Sequence, residues 1–368
     1  MYPEIGFDLP KTLELVKDEL SKIGVDYTEK FGKSSIVATL NPEKKNYTIG
    51  IRADMDALPI SEENDVPYKS KIDGRMHACG HDAHTAIALA TLKELYAMKN
   101  QINCCVKFLF QSAEEAYCGA KYMTDDGVMN DIDCIVALHM EPKCQTGKIL
   151  LCPGAQNANA DHFTLEFFGK HAHVAFQQNG IDANMAAMRA CTEIECMIAK
   201  ELSFHDIAIF NAGEVRGGTA SNIISDYCRV NCTLRTWEKG IENKVLDRIK
   251  IIAEMSAQMW GAKAKLTLLN HYPTLFNNNE IVNKLKCSAA KVIGSENISA
   301  NPRSMGSEDF AYFAAEKPGA MFRLGIANEE KRKTYGLHSS RFDIDEDALD
   351  IGVNIFKQFV FDNMEQRI

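Results

Sequence analysis

Side chains that bind metal ions are concentrated in one short segment of this sequence, between residues 77 and 84. They are His77, Cys79, His81, Asp82 and His84. Thiolate, imidazole and carboxylate are the groups that Zn²⁺ and related ions take as ligands. We expect Cys79 and His81 to lie on one side of an extended loop, because a helix would place them on different faces, and Gly80 permits a tight backbone there. The alternative is a polar loop that caps the next helix through Asp82, and the density of histidines favours a metal site.

Two adjacent carboxylates, Glu114 and Glu115, follow a strongly apolar run from Val106 to Phe110. Active sites of α/β proteins form at the carboxyl ends of parallel strands, which is where this pair is expected. Because the two residues are neighbours, their side chains point in different directions. One carboxylate could bind a metal while the other faces the substrate as a general base; alone, the pair could equally be surface glutamates.

Three further polar features close predicted strands or precede a helix. His139 ends the run from Val136, and His338 lies just before the last predicted helix. Asp54 and Asp56 follow a β-run and could either orient a metal ligand or form a simple turn. A lone histidine is usually structural, but the features together favour a shared site.

The predicted elements divide the chain into two kinds of domain. Strands alternate with helices up to about Pro153, which is typical of an α/β sheet. The order then becomes strand, helix, strand, strand, helix, strand, as in a ferredoxin-like sandwich. After Pro273 the α/β pattern resumes. We therefore predict a catalytic α/β domain in two parts, 1–158 and 271–368, with a ferredoxin-like α+β domain inserted at 159–270.

Composition limits the classes of partner. The 368 residues carry a formal net charge of -9, which argues against binding to nucleic-acid phosphates. We expect no membrane partner, because no apolar segment reaches the length of a span. The amino-terminal residues lack the pattern of a secretory signal, so we expect a cytoplasmic protein. Most of the twelve cysteines are then expected to be small buried hydrophobes.

Several of these segments together resemble one family, the aminoacylase and carboxypeptidase family of dinuclear metallohydrolases. The branch they resemble contains hippurate hydrolase, N-acyl-amino-acid amidohydrolases and indole-acetyl-amino-acid hydrolases. The matching segments are Arg52–Pro59, Met76–His84, Gln111–Glu115, Leu138-His139, Gly169–His173, Gly217–Asp226, Arg235, Met305–Phe310 and Leu337–Leu349. The resemblance implies a zinc-peptidase-type catalytic domain interrupted by a ferredoxin-like lid that often mediates dimers.

The resemblance also implies roles for individual residues. The metal ligands would be Cys79, His81, Glu115, His139 and His338. Glu114 would be the general base, and Asp54 would support a metal-binding histidine, although Arg52 stands where the wider family has that histidine. In the lid, His173 would contact the reacting carbonyl, and Asn222 and Arg235 would hold the substrate carboxylate.

The implied function is hydrolysis of the amide bond of N-acyl amino acids, with two divalent ions per subunit. Zinc is favoured by the thiolate ligand, with manganese or cobalt as alternatives. A metallo-dipeptidase or carboxypeptidase, a cysteine hydrolase with Cys79 as nucleophile, and a non-catalytic metal or peptide binder are the competing hypotheses. The lid motif departs from the family pattern, because His171 and Ala172 replace two glycines. This departure bears on the substrate range.

Overall fold

The computed structural model describes residues 1–203, 205–238, 240–331 and 333–365. Its helices are α1 (Pro10–Ile23), α2 (His81–Ala97), α3 (Glu114–Tyr117), α4 (Gly119–Asp125), α5 (Ala183–Glu201), α6 (Ile241–Met259), α7 (Asn279–Ile293), α8 (Phe310–Glu316) and α9 (Asp347–Asn363). Its strands are β1 (Asp26–Thr28), β2 (Ile36–Leu40), β3 (Thr48–Asp54), β4 (Cys105–Gln111), β5 (Cys134–Gln145), β6 (Ile149–Leu151), β7 (Gly154–Asn157), β8 (Asn159–Phe168), β9 (Ala172–His173), β10 (Ala208–Gly217), β11 (Ile223–Ile224), β12 (Tyr227–Thr236), β13 (Lys263–Tyr272), β14 (Leu275–Asn277), β15 (Ile298–Ala300) and β16 (Gly319–Ala327).

The chain folds into two compact units. The first contains Met1–Gln156, Leu275–Arg303 and the residues from Asp309 onward. The second contains Asn157–Thr274 and Ser304–Glu308. Within the described residues, none of the helices has the length and apolarity needed to span a bilayer.

The first unit is built on a mixed eight-stranded sheet in the order β1-β2-β4-β3-β5-β16-β6-β15. Its centre is parallel: β3 pairs with β4 and β5, and β5 pairs with β16. Parallel strands are buried on both faces, and β4 follows this rule. Phe108 and Phe110 belong to the cluster that includes residues of α1, α2, α7 and α9. Leu109 belongs to the cluster that includes residues of α4 and α8. The sheet is therefore covered on both sides, and its parallel strands end at one edge.

The second unit is an antiparallel sheet in the order β10-β12-β8-β13, with α5 and α6 contributing to its core. Phe163, Leu165 and Phe167 alternate along β8 and are all buried in this core, as expected for a sheet with one buried face. The chain order β8, α5, β10, β12, α6, β13 matches the predicted ferredoxin-like pattern. The predicted fold class, an α/β domain interrupted by an α+β domain, is confirmed.

Candidate metal centre

The first unit brings together the five residues that the sequence predicts as metal ligands. Ligand atoms of Cys79, His81 and His139 all lie within 4.8 Å of one another. The same holds for Cys79, Glu115 and His338. Glu115 is also grouped with His81 and Glu114. Because these groups share members, they form one continuous cluster of sulfur, nitrogen and oxygen donors.

Strand ends explain how these side chains meet. Asp54 ends β3, and Glu114 begins α3 shortly after β4 ends. His139 lies within the neighbouring strand β5. Since β3, β4 and β5 are adjacent and parallel, their polar carboxyl-terminal segments lie at the same edge of the sheet. His338 comes from the loop after β16, where its backbone has a left-handed φ of 61° and its N–H donates to the Ala78 carbonyl.

The segment between Cys79 and His81 differs from the extended loop that the spacing predicts. His81 is the first residue of α2, and Gly80 is its N-cap in the left-handed region, with φ of 83°. A Cβ at position 80 would lie only 2.8 Å from the Cγ of Met140. Both this contact and the left-handed φ therefore exclude a residue larger than glycine. The expected extended loop is therefore wrong: the chain turns at the glycine because α2 starts there.

Asp54 and Asp56 hold two different histidines. Asp54 accepts a hydrogen bond of 2.6 Å from Nδ1 of His84, whose Nε2 accepts one from the Met140 backbone N–H. Asp56 contacts the other histidine, because its Oδ1 is 3.3 Å from Nδ1 of His81. The Oδ2 atom of Asp54 is 3.5 Å from Nε2 of His81. Both aspartates are thus placed to orient imidazoles rather than to form a turn.

Arg52 forms ion pairs and hydrogen bonds with several residues beside the candidate metal centre. It is fully buried and forms ion pairs of 2.7 Å with Asp54 and 2.8 Å with Asp309. Its Nε donates to Gln111, whose amide in turn donates to Asp309. The backbone N–H of Asp309 lies 3.5 Å from Oε1 of Glu114. A buried cation therefore links the ends of β3 and β4 to the start of α8.

Charges in the centre shift several pKa values. Burial would raise the pKa of Asp54, but Arg52 and the nearby histidines outweigh it and hold that pKa well below its usual range. Burial also opposes the shift at Glu115, whose pKa is lowered by the imidazole of His338, with Nε2 3.4 Å from its Oε1. The same contact raises the pKa of His338. Burial, followed by the charge of Arg323, lowers the pKa of His139 well below its usual value. Carboxylates in their charged form and a neutral His139 are the forms that ligate metals.

The donor set fits bound metal ions. Both ring nitrogens of His81 and the Oε1 atom of Glu115 are buried and have no hydrogen-bond partner among the described residues. Buried polar atoms normally have a hydrogen-bond partner, so these atoms without one need an explanation. His139 donates from Nδ1 to the Met140 carbonyl, which leaves its Nε2 as an acceptor 3.5 Å from the sulfur of Cys79. Metal ions at this cluster would satisfy Nε2 of His81 and Oε1 of Glu115, whereas Nδ1 of His81 faces the carboxylate of Asp56.

The second unit holds the three predicted substrate residues. His173 is exposed on β9, which pairs with β11, and its side chain accepts a hydrogen bond from the Ala175 N–H. Asn222 is exposed, and its carbonyl accepts from the Val174 N–H. Arg235 is partly buried on β12 and donates to the carbonyl of Met305. Their roles toward substrate stay predictions.

Comparison with known proteins places the chain in a family. The model of peptidase family M20/M25/M40 matches residues 50–362. The chain belongs to this family. Over 350 residues it is 32% identical to the putative amidohydrolase YhaA of Bacillus subtilis (strain 168), with 95% of this chain and 88% of the relative covered. Over 360 residues it is 31% identical to N-acetyldiaminopimelate deacetylase of Priestia megaterium, with 97% and 94% covered.

A solved structure of the same family extends the comparison. The Bacillus subtilis YXEP protein, a dinuclear metal binding peptidase, is similar with a TM-score of 0.84 and 28% identity, covering 100% of this chain and 95% of that one. The predicted family and the predicted class, a hydrolase acting on amide bonds, are confirmed. The dinuclear relative and the donor clusters together support two divalent metal ions in this family member.

Two functional-site residues were not among the predicted site residues. Asp309 lies within the matching segment Met305–Phe310, but its role depends on burial and on partners far away in sequence, which the segment alone does not show. Asp56 is different, because its position after a β-run was visible in the sequence. Its contacts to His81, Glu114 and Glu115 appear only once the strands are assembled.

Proposed function

We propose that this protein hydrolyses the amide bond of N-acyl amino acids, releasing a carboxylic acid and a free amino acid. One observation carries the proposal: a cluster of five metal-ligand side chains, of which Cys79, His81 and His139 are buried, has a further buried carboxylate, Glu114, directly beside it. A protein that only stored metal would have no use for a base at this position. The names of its amidohydrolase and deacetylase relatives support the same class of substrate.

In this proposal Cys79, His81, Glu115, His139 and His338 hold two divalent ions. Bound there, the ions would lower the pKa of a water towards about 7 and polarise the amide carbonyl. A thiolate among the ligands favours Zn²⁺, with Mn²⁺ or Co²⁺ as the alternatives. Asp54 and His84 form a hydrogen-bonded pair beside the cluster and keep its histidines in fixed orientation.

Glu114 moves the proton. Its carboxylate accepts a proton from the attacking water and returns it to the amine nitrogen as the amide C–N bond breaks. The products then balance: the acyl carbon gains the water oxygen, and the amine gains the proton. The Asp309 N–H near Oε1 of Glu114 limits the directions in which the carboxylate can point. The buried position of Glu114 also keeps bulk water from competing for the proton.

The second unit supplies substrate contacts in this proposal. His173 would stabilise the oxyanion, a donor of the kind whose removal costs about 3 kcal/mol. Arg235 would grip the free carboxylate of the amino acid, since its planar fork suits bidentate binding, with Asn222 assisting. The unit would act as a lid that excludes water.

A homodimer through the second unit is also part of the proposal. Strand β10 lies at the edge of its sheet and carries exposed Ile209 and Val215. Exposed apolar edge strands readily pair with another chain. Sedimentation of the purified protein, with an Ile209→Lys variant as control, tests it: a monomeric wild type would contradict the dimer. A cytoplasmic location stays a prediction.

Neighbouring glutamates allow a sharp test of the mechanism. Glu114→Gln is expected to keep wild-type metal content and lose turnover of N-acetyl or N-benzoyl amino acids by orders of magnitude. Glu115→Gln, the matched control, is expected to lose bound metal. Amine release and elemental analysis measure the two properties. Near-normal kcat in the Glu114 variant would show that this residue is not the base.

Two other hypotheses predict different results in the same assays. A cysteine hydrolase with Cys79 as nucleophile would stay active after a chelator removes the metals, whereas the proposed enzyme becomes inactive. A dipeptidase or carboxypeptidase would hydrolyse unblocked dipeptides faster than N-acyl amino acids. A screen of both substrate sets with added Zn²⁺, Mn²⁺ or Co²⁺ therefore separates the alternatives.

A further inference from the structure

We propose that a cavity of the first unit, remote from the metal centre, is a binding site for a free diamino acid such as L-lysine. The cavity has a volume of about 620 Å³ and is lined by residues of β1, β2, β3 and β4 and by the segment before β5. Small-molecule sites have volumes of about 300–1,000 Å³. The inference goes beyond the proposed function, because this second site needs neither metal nor catalysis.

The cavity lies at the opposite end of the parallel strands from the metal centre. Thr48, which begins β3, and Cys105, which begins β4, both line it. The centre forms where these strands end, at Asp54 and just after Gln111. A strand of seven residues spans about 20 Å between its ends. One small ligand therefore cannot occupy both places.

The floor of the cavity is a polar part of the central sheet. Val37 on β2 and Leu109 on β4 are paired, and both belong to the apolar cluster that includes residues of α4 and α8. Two residues away on each strand, Thr39 and Lys107 are also paired, and they face the same side because side chains alternate along a strand. These two residues line the cavity instead of joining the cluster.

A row of three residues on neighbouring strands sets the spacing of charges on this floor. Asp26 on β1 pairs with Thr39, and Thr39 pairs with Lys107. Side chains that are directly paired lie on the same face of a sheet. Two strand spacings separate Asp26 from Lys107, which is about 10 Å across the sheet. The row therefore has a carboxylate at one end, an ammonium group at the other and a hydroxyl between them.

Lys107 provides the cationic end of the row. It lies inside an otherwise mostly apolar strand, and its side chain is 10% exposed. Lysine is rarely buried to this degree unless it is paired. Its ammonium group lies 2.5 Å from the carboxylate of Asp131, which is 68% exposed. Pairs with a well-exposed partner are weak, so the carboxylate of a ligand can replace Asp131 at this ammonium group.

The charges around the cavity indicate the class of ligand. Asp26, Asp131 and Asp133 provide three carboxylates, and Lys45 and Lys107 provide two ammonium groups, which leaves one negative charge in excess. A ligand with one carboxylate and two ammonium groups is complementary to this set. The carboxylate of L-lysine would contact Lys107, its α-ammonium would contact Asp131, and its side-chain ammonium would extend along the row to Asp26.

Isothermal titration calorimetry of the full chain tests the site with L-lysine, L-norleucine and 1,5-diaminopentane. Norleucine lacks the side-chain ammonium, and diaminopentane lacks the carboxylate. We expect L-lysine to bind about 10-fold more tightly than either analogue, because each analogue leaves one charged end of the row without its partner. The affinity at this site should be the same before and after a chelator removes bound metal.

Two variants assign the contacts. Lys107→Met is expected to weaken the binding of L-lysine about 10-fold or more and to abolish its advantage over 1,5-diaminopentane. Asp26→Asn is expected to abolish the advantage of L-lysine over L-norleucine. Because Asp26 is exposed, we expect this variant to fold, and it decides the question if Lys107→Met does not fold.

Matched controls lie in the same unit but do not line the cavity. Lys284→Met removes a lysine whose side chain is 15% exposed and pairs with Glu280, which is 55% exposed. Asp18→Asn removes an exposed carboxylate of α1. Both controls are expected to bind L-lysine with wild-type affinity.

Three results would overturn the inference: no binding of L-lysine by the wild type at millimolar concentration, loss of binding when the metal is removed, or equal losses of affinity in the cavity variants and the controls. None of these measurements uses hydrolysis. Inactivity towards N-acyl amino acids would therefore refute the proposed function alone.

Discussion

Replacing Arg52 with methionine should destabilise the first unit severely. Arg52 is 1% exposed and neutralises two carboxylates that are each 0% exposed, Asp54 and Asp309. Methionine is similar in length and unbranched, so the loss is electrostatic rather than the result of a large cavity. Breaking a buried pair by removing one partner costs about 3–5 kcal/mol. With two carboxylates stranded by one substitution, we expect about 5 kcal/mol, a large part of the stability of an ordinary domain.

Urea denaturation of the metal-free protein, followed by circular dichroism, measures this loss. The control is Arg341→Met in the same unit, where the arginine pairs with Glu63 and both side chains are 55% exposed. Exposed pairs contribute about 0–1 kcal/mol, so the control should unfold close to wild type. A loss in Arg52→Met within about 1 kcal/mol of the control would refute the reasoning, because the two buried carboxylates would then not depend on this cation.

Two further predictions concern stability. Gly119→Ala should destabilise the start of α4, because the added Cβ would lie 1.7 Å from the Ser112 carbonyl oxygen. Gly336→Ala, whose Cβ would meet nothing within 4 Å, is the control in thermal melts. Burial opposes the shift at Asp345, but its hydrogen bonds, including one from Lys331, lower its pKa to about 2. Since the ordinary pKa is 3.8, this carboxylate contributes stability above that pH, which is lost as pH falls towards 2. Asp345→Asn should flatten that part of the pH dependence of the urea midpoint, and an unchanged slope would contradict it.

The sequence predicts most of the central sheet because its signals are local. The apolar run before Glu114 marks β4, and polar residues at strand ends mark where the centre forms. Strand β5 shows the limit. The prediction ends at His139, where a polar residue closes the apolar run, but the strand continues through Pro142 to Gln145. Its pairing with β16 shifts register after Glu141, and a proline fits there because it cannot donate a ladder bond.

The network around Arg52 could not be predicted in the same way. Its partners Gln111 and Asp309 come from distant parts of the chain and follow no shared period. The N-cap at Gly80 is another case, because the start of α2 at His81 depends on close packing against Met140. Contacts between residues far apart in the chain determine such features, and a single sequence does not show which distant residues will meet.

The order of strands in the sheet has a consequence for synthesis on the ribosome. Strand β5 pairs with β16, but the whole inserted unit is translated between Gln145 and Gly319. At about 5–20 residues per second, roughly 10 to 35 s pass between the synthesis of β5 and the synthesis of its partner strand β16. The whole inserted unit, including residues 304–308, is therefore complete in sequence before β16 is made. His338 emerges later still, so the nascent chain cannot hold the full set of metal ligands until nearly all of it has been made.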